Sequence, residues 1–185
     1  ILLGLLIERV MKKPLEQLAE ERIFRPLGMN DTKWGAPVDG ALSRTIRTIN
    51  AAPGVISDHG ARAIAPHRIG NAGIFSTASD LAKFCRMMLN RGRGFFKTDI
   101  AELFFTNQAP PGMTPRSIGW NMAPDFIPEG CSASTIHHTG WTGQAVWIDP
   151  AKQRFLILLT NRFGDSIESW RGRLAAAQEI FNTIV

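Results

Sequence analysis

From Ser166 to Val185 apolar residues recur at Trp170, Leu174, Ala177, Phe181 and Ile184, a spacing of three and four that places them on one stripe of an α-helix. Upstream the pattern changes. The β-branched and aromatic run Ala145-Val146-Trp147-Ile148 leads into Asp149-Pro150-Ala151-Lys152-Gln153 and then Arg154-Phe155-Leu156-Ile157-Leu158-Leu159-Thr160-Asn161-Arg162, which reads as two strands joined by a tight turn. Five residues cannot hold a helical crossover, so the pairing is antiparallel. With the segment around His137 as a further strand, three consecutive strands are expected, covered on one face by the terminal helix. The opening run Ile1-Leu2-Leu3-Gly4-Leu5-Leu6-Ile7-Glu8-Arg9-Val10 has no Ser, Thr, Asp or Asn to cap it and reads as a helix entered from inside. A second helix is expected from Ser79, with Cys85 on its apolar face. Pro53 to Ile69 and Gln108 to Ser117, with Pro110, Pro111, Gly112 and Pro115, read as loops. Helices to about residue 116, followed by antiparallel strands and a covering helix over 117–185, make an α/β (α+β) fold in one domain.

Composition narrows the function classes. At 185 residues and 44% hydrophobic content the chain is long enough for one domain with a real core. The net charge of +5 and pI near 9.8 raise nucleic acid as a partner, but the basic residues are scattered and do not interleave with aromatics. No nucleic-acid partner is expected. The apolar opening reaches only Ile7 before Glu8 and Arg9, too short to cross a bilayer, so no membrane span is expected. Cys85 and Cys131 have no metal or redox spacing and leave the compartment open, periplasm and cytoplasm alike. His59 and His67 lie in a loop-rich stretch without ligands at metal spacing. Neither metal nor cofactor is implied.

The chemistry concentrates in His137-His138-Thr139-Gly140-Trp141-Thr142-Gly143. Small residues at a strand end let a substrate lie close to the backbone, and a free backbone N–H there polarises a carbonyl. Adjacent histidines on a strand point to opposite faces, so only one can line a pocket.

Three segments carry a family resemblance. His138-Thr139-Gly140 is similar to the third motif of the serine β-lactamase, penicillin-binding-protein and family VIII carboxylesterase superfamily, Lys-Thr-Gly or His-x-Gly. Ile23-Phe24-Arg25-Pro26-Leu27-Gly28-Met29-Asn30-Asp31-Thr32 resembles the segment that follows the second motif. Gly70-Asn71-Ala72-Gly73-Ile74-Phe75-Ser76-Thr77-Ala78-Ser79-Asp80-Leu81, with Phe84, resembles the family's glycine-rich entry into a helix. The order matches and spans nearly the whole chain. The resemblance implies acyl transfer to water from a small-molecule ester, peptide or β-lactam. It places His138, Thr139, Gly140 and Trp141 at the acyl group, with the Trp141 N–H as second oxyanion donor, His138 setting the pocket's charge, and Trp120 and Gly143 bordering the substrate. Near neutral pH a histidine is largely uncharged, which weakens the case for a β-lactam or D-alanyl peptide as the preferred substrate and, with the His-x-Gly variant resembling that of the family's esterases and peptidases, tilts the choice toward those.

The departures are equally informative. There is no tyrosine, and no serine has a lysine three residues later, so the first two motifs are absent. The chain therefore reads as a β-lactamase/transpeptidase-like fragment, one partial domain, with nucleophile, lysine and tyrosine expected upstream. Alone it is expected to be inactive, with an exposed apolar sheet edge or face, and to associate with a complementary N-terminal fragment or as a homo-oligomer. The competing reading is a non-catalytic binding or assembly module.

Overall fold

The computed structural model describes residues 1–35, 41–48, 52–68, 70–162 and 166–183. It divides into two compact units, Ile1–Lys83 and Phe84–Val185.

In the first unit, α1 (Leu2–Met11) and α2 (Leu15–Ala19) are joined by a short turn, and α2 continues through one π-helical turn, Glu20–Phe24. Pro14 starts α2 but offers no side-chain cap; Glu8 of α1 supplies one, its Oε1 accepting the Leu15 N–H at 2.8 Å. The expected opening helix is present. Its residues Leu2, Leu3, Leu6 and Val10, with Ile1 just before it, are exposed, Leu2 at 82%, a continuous apolar face of the kind that marks an interaction surface. Apolar exposure expected at the sheet thus falls mainly on a helix.

A two-stranded antiparallel pair joins β1 (Lys33–Trp34) to β2 (Ile74–Phe75), after the short α3 (His59–Ala63) capped by Asp58. Beneath it lies the carboxylate of Asp80, 1% exposed, at the start of α4 (Ala78–Leu89). It accepts the Asp31 N–H at 2.8 Å, the Thr32 hydroxyl at 2.9 Å and the Lys83 ammonium at 2.8 Å. Lys83 also donates to the Gly28 carbonyl, and the Thr32 and Ser76 hydroxyls are 2.7 Å apart. The two resemblance-bearing segments, 23–32 and 70–81, are therefore bound to each other through one buried acid. Burial by itself would raise the Asp80 carboxyl, but hydrogen bonds from Lys83, Thr32 and the Asp31 amide outweigh it and hold the group below its ordinary value. Replacing Asp80 by Asn sets an amide donor against Lys83 and removes the charge that strengthens each bond. Asp80→Asn is expected to lower stability by about 2 kcal/mol, read from the urea midpoint.

In the second unit α4 completes its length, with Cys85 buried and its thiol pushed up to about 12 by burial, against a small opposing effect of Arg86. It is an inert core residue. After α5 (Thr98–Leu103), the chain forms β3 (Ile136–Thr139), β4 (Gln144–Asp149) and β5 (Arg154–Leu159), paired antiparallel in that order. The turn at 150–153 is held by buried Asp149, whose Oδ1 accepts the Lys152 N–H at 3.2 Å and whose Oδ2 accepts the Ser132 N–H at 3.0 Å. The terminal helix α6 (Ser166–Thr183) covers one sheet face: Trp170, Leu174, Ala177 and Phe181 pack on Ala145, Trp147, Leu156 and Leu158. This is the stripe expected from the spacing, except that Ile184 lies outside the described residues. The three-stranded sheet lies wholly beyond residue 117, while the compact units divide at Lys83.

Candidate functional site

The turn between β3 and β4 consists of Gly140, Trp141, Thr142 and Gly143. It is closed from within, Gly140 N–H donating to Gln144 O at 2.7 Å and Gly143 N–H to Gly140 O at 3.0 Å. It is also held from the end of β5, where the Thr160 hydroxyl donates to Gly143 O and the Arg162 N–H donates to Thr142 O at 2.9 Å. Gly143 has φ of 121°, and a Cβ there would stand 2.6 Å from Thr160 O and 2.8 Å from Arg162 N. Its missing side chain makes room for the chain itself. The close approach at Gly143 is one between two strand ends.

Trp141 stands at the tip, its side chain 70% exposed. The guanidinium of Arg162 covers one face of the indole, 4.0 Å from its centre. Its backbone N–H has no acceptor among the described residues. This is the state required of an amide that is to receive an oxyanion.

The two histidines separate by face, as alternation requires. His137 is paired opposite Trp147 and is 1% exposed, whereas His138, opposite Val146, is exposed. His137 stacks with Phe126 (centroids 5.7 Å apart) and Trp170 (6.5 Å). Neither ring nitrogen meets a hydrogen-bond partner among the described residues. Burial, helped by His138 and Arg116, brings its pKa down to about 4. His138, although open to solvent, sits in a crowded neighbourhood that lowers its pKa; Arg116 acts in the same direction, and a hydrogen bond to the Thr139 backbone opposes them. Both imidazoles are neutral at pH 7.

Along the free edge of β3, Asn121 exchanges both backbone bonds with His137 at 2.9 Å. Trp120, one residue earlier, is half-buried and stacks with Phe84 at 6.5 Å between centroids. The structure therefore brings His138, Thr139, Gly140 and Trp141 onto one strand end, and seats Trp120 beside the neighbouring residue of the edge segment. Two contributors escaped the sequence reading: Thr160 and Arg162. They lie about twenty residues beyond the motif, and nothing in their spacing announces the contact.

An open groove of about 590 Å³ in the first unit, bordered by Glu8, Lys12, Ile64, Pro66 and His67, contains none of these residues. There His67 Nε2 lies 3.0 Å from Glu8 Oε2 and braces its loop against α1. Among the described residues no group of His, Cys, Asp and Glu is arranged to hold a metal ion, and no helix is long and apolar enough to cross a membrane.

The fold has known counterparts. N-acetylmuramyl-L-alanine amidase of Bacillus subtilis (strain 168) is 31% identical over 192 residues, covering 88% of this chain and 42% of its own length. A β-lactamase from Mycobacterium bovis superposes with a TM-score of 0.63 at 21% identity, over 97% of this chain and 61% of that one. An octameric penicillin-binding protein homologue from Pyrococcus abyssi superposes with a TM-score of 0.60 at 20% identity, over 95% of this chain and 40% of that one. The chain thus spans less than half the length of the curated relative it matches. The sequence model of the family described as Beta-lactamase matches residues 1–179, and the chain belongs to the beta-lactamase family.

Proposed function

We propose that this chain is the oxyanion-bearing part of a serine acyl hydrolase that cleaves ester, amide or β-lactam bonds through an acyl-enzyme. The observation that carries the reading is the Trp141 N–H, without an acceptor among the described residues, at the tip of a turn braced on both sides, directly after His138-Thr139-Gly140. The nucleophilic serine, with a lysine and a tyrosine to move protons, comes from a segment outside this sequence. Serine attacks the carbonyl carbon, the carbonyl oxygen gains the negative charge, and the Trp141 amide with the nucleophile's own amide stabilises it. The leaving alcohol or amine departs with the proton first taken from serine, and water then releases the acid. Thr139 and Gly140 border the acyl group. Neutral His138 adds no positive charge of its own where the family's other members carry a lysine, which favours uncharged esters and peptides. Trp120 lies near the cleft edge, half-buried.

The exposed apolar face of α1 supports a partner, taken here to be the nucleophile-bearing segment; self-association of the chain is the other outcome. With p-nitrophenyl acetate the isolated 185-residue chain is expected to give no burst and no mass increment of an acetyl group. The chain joined to a segment carrying Ser-x-x-Lys is expected to give a burst of one equivalent. A stoichiometric adduct on the isolated chain would overturn its inactivity, and a joined protein that never acylates would overturn the hydrolase reading.

A further inference from the structure

We infer that Arg162, just beyond β5, is a positioning residue that holds the Gly140–Gly143 turn so that the Trp141 amide points out of it. The inference rests on the acyl-transfer reading above, since the amide matters only if an oxyanion forms. Three contacts reach the turn from this one residue. Its N–H donates to Thr142 O at 2.9 Å, its Nη1 donates to Trp141 O at 3.4 Å, and its guanidinium lies over the indole at 4.0 Å. Ring and carbonyl of Trp141 are thus tied to the same planar cation, which restrains the residue's place in the turn.

The direction of the free N–H follows from peptide geometry. In a trans peptide the carbonyl and the following N–H point opposite ways. The Gly140 carbonyl is turned into the loop to accept the Gly143 N–H at 3.0 Å, so the Trp141 N–H of the same peptide points away from it. If Trp141 rotates, that amide leaves its line. Arg162 contacts the Thr142 and Trp141 carbonyls and the indole, none of which is this N–H. No carboxylate among the described residues forms an ion pair with it, and Arg173 is close enough to feel its charge. Among the described residues, its side-chain hydrogen bond and ring contact are those with Trp141.

The test uses Arg162→Gln and Arg162→Lys, each in two settings. In the nucleophile-bearing parent, with p-nitrophenyl acetate, Arg162→Gln is expected to lower kcat about 10- to 100-fold with KM changed by less than about twofold, because a misplaced oxyanion donor is felt only in the transition state. Arg162→Lys, which keeps the charge and one donor, recovers most of the loss. In the 185-residue chain, Arg162→Gln is expected to reduce hydrogen-exchange protection of the Gly143 amide by about tenfold while Trp147 and Leu156 in the sheet keep theirs. An active parent with unchanged kcat overturns the inference, as does a rise in KM alone, which would make Arg162 a substrate-binding group. Equal loss of protection at Gly143, Trp147 and Leu156 overturns it too, by showing general loosening. A wild-type parent that never acylates fails differently, removing the acyl-transfer reading itself.

Discussion

Gly143→Val is expected to lower the unfolding free energy by about 4 kcal/mol, from two separate causes. The first is conformational. Gly143 has φ of 121°, a region closed to β-branched residues, and holding one there costs about 1–3 kcal/mol. The second is steric: the new Cβ would fall 2.6 Å from Thr160 O and 2.8 Å from Arg162 N. Both are backbone atoms, tied by the Thr160 hydroxyl to Gly143 O and by the Arg162 N–H to Thr142 O, so the clash is relieved only by separating the two strand ends. Gly143→Ala shares both causes with less bulk and is expected to cost about 3 kcal/mol. Urea unfolding of the three proteins decides the matter, with the order wild type, Ala, Val in falling midpoint. An alanine variant within about 0.5 kcal/mol of wild type would show that the strand ends separate freely, contrary to the packing described.

Acidification is expected to destabilise the chain well above the range in which carboxylates titrate, and His137 is the cause. Its folded-state pKa, about 4, lies below the ordinary 6.5, so between these values the unfolded chain binds the proton and the folded chain does not. Stability therefore rises with pH across this window, is fully present above pH 6.5 and is lost as pH falls toward 4. The difference of about 2.5 pH units corresponds to a loss of about 3 kcal/mol at most. Physically, a proton on this ring would place a buried charge beside the Phe126 and Trp170 rings, with no acceptor among the described residues to receive it. His138 contributes in the same sense, more weakly because it is exposed. Asp80, held below its ordinary value, adds its own loss only below about pH 4. The check is stability against pH from 7.5 to 4 for wild type and His137→Phe, which keeps the stacking and has nothing to protonate. A flattened slope in the variant is expected; parallel curves would remove His137 as the cause.

The legible parts of this protein are those in which one local period or one short segment carries the information. The α6 stripe at Trp170, Leu174, Ala177 and Phe181 packs as its spacing demands, because a helix buries one side whatever its partner. The turn at Asp149–Gln153 was readable for a similar reason: Pro150 and its polar neighbours leave no room for anything but a reversal. The facing of His137 and His138 follows from strand alternation alone. The role of Gly143 was less readable, since a glycine in sequence announces a close approach without naming what approaches.

Read alone, the chain yields the family, the order of helices and antiparallel strands, the resemblance of His138-Thr139-Gly140 to the family's third motif, and the absence from this chain of any Ser-x-x-Lys. These depend on residue identity and local spacing. It took the folded chain to reveal that Asp80 binds segment 23–32 to the start of α4, that His137 lies among aromatics with no hydrogen-bond partner among the described residues, and that Thr160 and Arg162 close over the Trp141 turn. Each of these joins groups about twenty or more residues apart, or depends on what surrounds a side chain after folding. Chain reversal and burial create such neighbourhoods, and no local pattern encodes them.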